Sequence, residues 1–458
     1  MSERPNVVLI VLDAVRRDHL SCYGHRRFTT PNIDRIAAQG VRFTRASAAS
    51  CWTLPSHASL FTGLYPSEHR ADVDTWQLGT GPDTLAGHLA AQGYRTACIS
   101  CNGLVSSNTR LTRGFQVATD VERLRGGRED LRQRAIRGAH ARWRRLTRRD
   151  RGATRATALA QDFLRSASER QPFFLFLNYM DCHLPYNRRL ATRNRFVDDA
   201  DRRRVARVPQ DPFAVMAGAL TMAAQDLIDL QALYDGSLYH LDAQVGALFA
   251  TLDGLGLADR TWFIVTSDHG ESFGEHGLLD HQYGLYEELV AVPFVLRLPA
   301  GERAGTVDER LVQHVDLFPT LAHRLSDGDP PAHLPGVSML DDEPGRNHAL
   351  AEYRIPNLRQ FRRRFPTAGI ARFDAGIRSI RTDRHKLIEW TDGRVELYDL
   401  AADPGECANQ ASGRPDVVAD LQATLRQRLG PWSNEPAPEP SDAGVEQLRE
   451  RLQLLGYL

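Results

Sequence analysis

The sequence lacks three things that would tie it to a particular surface or partner. No apolar run is long enough for a secretory core or a membrane span: Val7-Val8-Leu9-Ile10-Val11-Leu12 is cut short by Asp13. No charge of either sign is in excess, with 57 Lys+Arg against 57 Asp+Glu, so no global field draws the chain to nucleic acid or to a bilayer. Cysteines are few and scattered, six at positions 22, 51, 98, 101, 182 and 407, and a reducing compartment would leave them free. Cys98-Ile-Ser-Cys101 has redox spacing but closes a strand pattern instead of opening a helix. There are no internal repeats. These absences lead to the expectation of a cytoplasmic protein with neither nucleic-acid nor membrane partner; a homo-oligomer is compatible with them.

What is present is a long chain with a βα rhythm. A length of 458 residues can bury a large core and suits two domains, or one large α/β domain with an appendage. Short apolar runs at Val7–Leu12, Arg95–Ser100, Phe173–Asn178, Thr261–Thr266 and Val292–Leu298 read as strands buried on both faces. Helical patterns over Asn32–Gln39, Asp83–Gln92 and Ile228–Asp253 lie between them. The fold class is therefore α/β, with a mostly parallel central sheet flanked by helices. After about residue 340 the pattern changes to short antiparallel strands (Gly376–Thr382, His385–Trp390, Arg394–Leu400) with an Asp392-Gly393 turn and a helix from Pro415 to about Leu429. The expected division is residues 1–340, a small α+β subdomain over 341–434, and a Pro-rich linker with a terminal amphipathic helix over 435–458. Thirteen arginines lie between Val121 and Arg155. They read as a solvated helix face or as a docking surface for an anion.

In parallel sheets ligands bind beyond the carboxyl ends of the strands. Asp13, Asn102, His183 and Asp268 all stand at or just past such ends, so residues distant in sequence are expected to meet on one rim. Asp13 and the pair Asp268-His269 are candidate ligands for a hard or borderline cation. Taken singly, each acid is more readily read as a turn former or helix cap than as a ligand. Thr53 likewise reads as a residue before the helix start at Pro55.

The segment Cys51-Trp52-Thr53-Leu54-Pro55-Ser56-His57, with Thr62-Gly63 after it, resembles the nucleophile turn of the sulfatases, which reads Cys-x-Pro-Ser-Arg and then Leu-Thr-Gly. Aligned on Pro55 and Thr62-Gly63, Thr53 takes the place of the modified cysteine and His57 that of the arginine. The resemblance extends to the C-terminal wording at Arg381–Ile388, Glu396–Leu400 and Asp403-Pro404, and so spans essentially the whole chain. It implies an alkaline-phosphatase-like fold and a metal-dependent ester hydrolase.

Two departures carry information. Sulfatases place a second acid where this chain has Ala14, and Asp-Asn where it has Asp268-His269. The set Asp13, Thr53, Asp268 and His269 is similar to the metal shell of the phosphonate and phosphodiester hydrolases and of the transferase branches of the alkaline phosphatase superfamily. It implies one divalent metal ion, with imidazole in the shell favouring Mn, Zn or Fe over Ca or Mg. By the same resemblance His183, in His-x-Pro-Tyr, is a general acid. His281 binds a non-bridging oxygen or protonates the leaving group, and His276 is a further substrate contact. Asn102, in place of a lysine, holds a phosphoryl oxygen or caps the next helix. His57 orients Thr53 or donates to the product anion.

A threonine cannot form the aldehyde hydrate through which formylglycine sheds sulfate, but a threonine phosphate can be released by in-line attack at phosphorus. The expected substrate is thus a small anionic ester of phosphoric or phosphonic acid. A true sulfatase, a phosphoryl-group transferase and a non-catalytic binding protein are the alternatives. Insertions such as Asn187–Thr221 would set the particular ester.

Overall fold

A computed structural model describes residues 4–121, 150–167, 171–186, 192–326, 331–341 and 345–432. Most of the arginine-rich stretch, the start of the Asn187–Thr221 insertion, and the expected linker and terminal helix lie outside the described residues.

In chain order the first unit runs β1 (Asn6–Leu12), α1 (Pro31–Ala38), β2 (Val41–Ser47), α2 (Thr53–Thr62), α3 (Leu85–Ala91), β3 (Arg95–Ser100), β4 (Val117–Asp120), α4 (Ala153–Arg165), β5 (Phe173–Tyr179) and α5 (Ala224–Gly254). It continues with β6 (Thr261–Thr266), the two-residue strands β7 (Ser272–Phe273) and β8 (Leu279–Asp280), β9 (Ala291–Arg297), β10 (Thr306–Gln313) and α6 (Leu317–Leu325). Eight strands form one sheet in the order β10-β2-β9-β6-β1-β5-β3-β4. All run the same way except β9, which is antiparallel to both of its neighbours.

Strand alternation makes three layers. On β1, Val7, Leu9 and Val11 enter a core shared with Leu54 and Phe61 of α2, Leu89 of α3 and Leu321 of α6. Val8, Ile10 and Leu12 enter a second core with Ile33 of α1, Ala156 and Phe163 of α4, and Leu241 and Leu248 of α5. Because β1 is covered on both faces, its sequence shows an unbroken apolar run instead of an alternation.

A second, four-stranded antiparallel sheet joins β11 (Ala349–Tyr353), β12 (Ile377–Arg381), β13 (His385–Trp390) and β14 (Val395–Asp399), followed by α7 (Pro415–Leu429). One face, including Tyr353, Ile377, Ile388 and Trp390, is built into the core beside α2. The other, with Leu350, Ile380, Leu387 and Leu397, packs on Leu425 of α7. The fully buried Lys386, the only lysine in the chain, fastens this sheet to the first unit. Its Nζ lies 3.0 Å from Glu287 Oε1 and 3.2 Å from Glu406 Oε1. Glu287 is thus tied into an ion pair with the second sheet. Lys386 and Arg381 hold the Glu287 carboxylate down at about 2, against the upward push of burial.

The strand–helix alternation and the antiparallel C-terminal segment match the expected fold class. β2, β4, β10 and β11 were not anticipated. β2 reads Val-Arg-Phe-Thr-Arg-Ala-Ser, its apolar period broken by arginines, and β11 is alanine-rich, a weak strand signal.

One close approach fixes the loop after β6. A Cβ on Gly270 would lie 1.9 Å from the Glu288 carbonyl oxygen, and the Gly270 N–H donates to the Leu289 carbonyl at 2.7 Å. No side chain fits without moving backbone. Gly270→Ala is therefore expected to cost about 2 kcal/mol or more in a urea denaturation, and to weaken cation binding, because Asp268 and His269 immediately precede it.

Candidate active site

The carboxyl ends of β1, β3, β5 and β6 deliver the central residues to one place. Asp13 follows β1, and its amide donates to the Tyr179 carbonyl at the end of β5 (2.8 Å). Asp268 and His269 follow β6. Asp13, Asp268 and His269 are all buried, each offering one ligand atom, and these atoms lie within 4.8 Å of one another. Thr53 opens α2, with its Oγ1 3.4 Å from His269 Nε2. Helix α2 is buried along its whole length, so the turn that carries Thr53 sits inside the protein with the positive end of the helix at Thr53.

Ala14 has a left-handed backbone, φ 60°, a conformation that costs energy in any residue with a Cβ. It presents the Ala14 N–H to Asp268 Oδ1 at 3.2 Å. Where sulfatases supply a second acid, this chain supplies a backbone donor. Asp268 Oδ1 also accepts from His269 N at 3.0 Å. Its other oxygen, Oδ2, takes no hydrogen bond among the described residues, and the same is true of Asp13 Oδ1. Burial raises the Asp13 carboxyl above its usual range, against the Asn102 amide that favours its charged form. Burial, and then the neighbouring Asp13 charge, pushes Asp268 well above its usual range.

The histidines are oriented by carbonyl groups, which only accept hydrogen bonds. His269 Nδ1 donates to the Gly270 carbonyl (2.9 Å), so its Nε2 lone pair faces Thr53. An imidazole pinned at one nitrogen is the usual arrangement of a metal ligand. His281 Nδ1 donates to the Cys51 carbonyl (3.1 Å), and His183 Nδ1 to the Leu184 carbonyl (2.6 Å). The His183 and His281 Nε2 atoms are 3.0 Å apart, and the His281 ring stacks on His269 with centroids 4.2 Å apart.

Asn102 reaches the centre: one hydrogen of its amide Nδ2 goes to Asp13 Oδ2 at 2.7 Å, and Oδ1 accepts from Leu104 N at 2.9 Å, capping the following turn. It therefore positions Asp13. His276 is not brought to the centre. It stacks on Tyr286, centroids 3.5 Å apart and nearly coplanar, and its Nε2 lies 3.8 Å from Glu288.

His57 is at the centre in a narrower role than expected. Its Nδ1 donates to the Thr53 carbonyl at 2.9 Å, and its ring packs edge-on to Phe61 and Phe176. Burial lowers it to about 4, so it is neutral near pH 7 and does not replace the arginine's charge. It braces the turn that carries Thr53.

Three contributors escaped the sequence reading. Asn178 ends β5 within 3.5 Å of Asp13 Oδ2; it is the polar break in an otherwise apolar strand. Asp280 lies beside His281. Glu271, fully buried, takes the Leu184 N–H at 3.2 Å, and burial and then the Asp280 charge push its carboxyl well upward. The signal for Glu271 was its place in the run Asp268-His269-Gly270-Glu271.

Residues 5–327 match the sulfatase family. The chain belongs to that family. Residues 274–434 also match the family described as N-sulphoglucosamine sulphohydrolase, C-terminal. Among similar proteins, the N-acetylgalactosamine-6-O-sulfatase of Bacteroides thetaiotaomicron is 26% identical, covering 93% of this chain and 93% of that protein. The multifunctional alkaline phosphatase superfamily protein PehA of Trinickia caryophylli is 27% identical, covering 93% and 95%. The crystal structure of the phosphonate monoester hydrolase of Agrobacterium radiobacter has the same fold, with a TM-score of 0.71 at 24% identity, covering 93% of this chain and 96% of that one. The protein is thus a sulfatase-family hydrolase with an alkaline-phosphatase-like fold.

The Asp13–Asp268 repulsion has a testable consequence. In metal-free protein, Asp268→Asn keeps the acceptor for Ala14 and His269 and removes a buried charge. Because the folded-state pKa of Asp268 is raised, the stability linked to it is fully present below the unfolded carboxylate value and lost as pH rises through the folded one. The variant should therefore melt above the metal-free wild type by roughly 2–4 °C at pH 8, and the gap should shrink towards acid pH. Differential scanning calorimetry at several pH values reads both.

Proposed function

We propose that this sulfatase-family chain hydrolyses small anionic esters of phosphoric or phosphonic acid through a covalent intermediate on Thr53. One observation carries the reading: a plain hydroxyl, not a precursor of an aldehyde, stands at the start of α2, 3.4 Å from an imidazole lone pair and beside two buried carboxylates. The donor set of Asp13, Asp268, His269 and Thr53 fits a divalent cation. Asp13 Oδ1 and Asp268 Oδ2 are buried without a hydrogen bond among the described residues, and imidazole alongside carboxylate suits Mn, Zn or Fe. Such a cation would make the Thr53 hydroxyl more acidic and offset charge on the oxygens of the transferred group.

The chain's own residues supply the remainder. In the first half-reaction Thr53 Oγ1 bonds to phosphorus, the bond to the leaving oxygen breaks, and the proton given up by Thr53 is balanced by one taken up on that oxygen. The His183 and His281 imidazoles, whose Nε2 atoms lie 3.0 Å apart, are the side chains that would contact that oxygen. In the second, water attacks phosphorus in line and Thr53 leaves with a proton. Asn102 and Asn178 hold Asp13, and His57 holds the turn. A sulfated threonine lacks the aldehyde-forming exit, which is the argument for phosphorus over sulfur.

The second reading, sulfuric ester hydrolysis, draws on the named sulfatases among the relatives. A side-by-side assay of p-nitrophenyl phosphate, a phosphodiester, a phosphonate monoester and p-nitrophenyl sulfate separates the two, and dominant sulfate turnover would overturn the phosphorus assignment. Thr53→Ala is expected to lower kcat on the best substrate by on the order of 10³-fold or more while metal content persists. Undiminished turnover in that variant would remove the covalent step.

A further inference from the structure

The face of the second sheet that turns towards α7 is apolar at Leu350, Ile380, Leu387 and Leu397, yet it also carries a row of charge. Glu352 on β11 stands opposite Arg378 on β12, and Arg378 opposite Glu389 on β13. Strand alternation puts all three on this face, while Tyr353 points the other way, onto Trp52 beside Thr53. Arg378 Nε donates to Glu389 Oε1 at 2.6 Å and its Nη1 to the Gly430 carbonyl at 2.9 Å. That second bond lays the chain after α7 across the row, and the Arg378 guanidinium lies over the Trp432 ring, 4.3 Å from its centroid. Glu352 Oε2 takes the Ser67 N–H at 2.8 Å, which brings in the turn Pro66–His69 and Arg70 after it. Arg354 donates to Asp72 Oδ2 at 3.1 Å.

A cleft of about 250 Å³ lies among these residues, with Arg70, Arg354 and Arg378 on its wall and Glu352 as the one acid there among the described residues. Asp72 and Glu389, which hold two of the arginines, do not line it. Nη2 of Arg354 and of Arg378 has no acceptor among the described residues, and Ser67 Oγ is buried there without an aligned hydrogen bond. Burial raises the Glu352 carboxyl, so the acid on the wall yields its charge more readily than an exposed one. Arg70 holds a left-handed backbone, φ 52°, which suits glycine and costs energy in a residue with a Cβ. The geometry points to a binding site for a tetrahedral oxyanion, a phosphate or sulfate group, held between these three guanidiniums and Ser67 Oγ. Planar guanidinium forks meet such a group two oxygens at a time. The sheet stands between this cleft and the Thr53 turn, so the site is separate from the Thr53 centre and does not depend on which ester is attacked there.

Free phosphate and the phosphoryl end of a small ester share this chemistry, and the experiment separates them. Radiolabelled inorganic phosphate is offered to the metal-loaded full chain in equilibrium dialysis, with unlabelled phosphate, sulfate and glucose 6-phosphate as competitors. One bound equivalent should survive Asp268→Asn, which disables the Thr53 centre. Adding Arg70→Gly to that chain should weaken the remaining binding about tenfold or more. Glycine suits the Arg70 backbone, so the loss is not a failure to fold, and Arg70→Gly alone should leave turnover unchanged. Trp432 fluorescence should shift with the same midpoint, and the shift should be absent in Trp432→Phe. Displacement at lower concentration by glucose 6-phosphate than by the inorganic anions would assign the cleft to a carried phosphoryl group, and the reverse order to a free oxyanion. Loss of all phosphate binding with Asp268→Asn, or unchanged affinity once Arg70→Gly is added, would overturn the cleft site. Either result leaves the Thr53 reading standing, because that reading is decided by turnover in Thr53→Ala.

Discussion

Burying two carboxylates side by side is the constraint on which the site depends. Asp13 and Asp268 leave neighbouring strands of the same sheet and meet where water is excluded, so each raises the cost of ionising the other. The surrounding structure is arranged to bear that cost without neutralising it. Ala14 adopts a left-handed backbone to give its N–H to Asp268, Asn102 and Asn178 turn amide donors to Asp13, and one oxygen of each acid is left without a hydrogen bond. Among the described residues neither acid forms a salt bridge with an arginine or lysine. An arrangement that withholds its own cation and keeps two aligned oxygens open is suited to taking one from outside.

The residues of the Thr53 turn bring no permanent positive charge to the centre. His57, neutral and packed among aromatics, braces the turn through the Thr53 carbonyl, and Asn102 ties down Asp13. Burial likewise shifts His183 and His269 towards the neutral form. A fold alone does not say which ester is attacked; this scarcity of fixed charge in the Thr53 turn is the physical feature that marks the site.

Much of this was legible in the sequence because strand ends carry their own marks. An apolar run stopped by Asp13, or by Asp268-His269, announces both the strand and the rim residue. The Thr53 turn and His183-Leu184-Pro185-Tyr186 were legible through a longer wording. What could not be read was orientation. Asn102 lies at a strand end whether its amide faces substrate or Asp13, and only three-dimensional contact decides. His276 shares a segment with His281, yet the left-handed turn at His276 (φ 53°) sends the two to different neighbours. Asp280 was hidden in a two-residue strand, too short for any periodicity. β2 and β11 were missed because their pairing partners, not their own propensities, make them strands.

The buried Lys386 has a consequence of a different kind. It is the only side-chain amine in the molecule, so every cationic group on the surface other than histidine and the chain's amino terminus is a guanidinium. Such a surface keeps its charge far into alkaline solution, and amine-acylating reagents have no exposed lysine to find. Acylation at Lys386 requires the C-terminal sheet to come away from Glu287. The chain thus carries one native lysine whose acylation reports that partial opening without an engineered label.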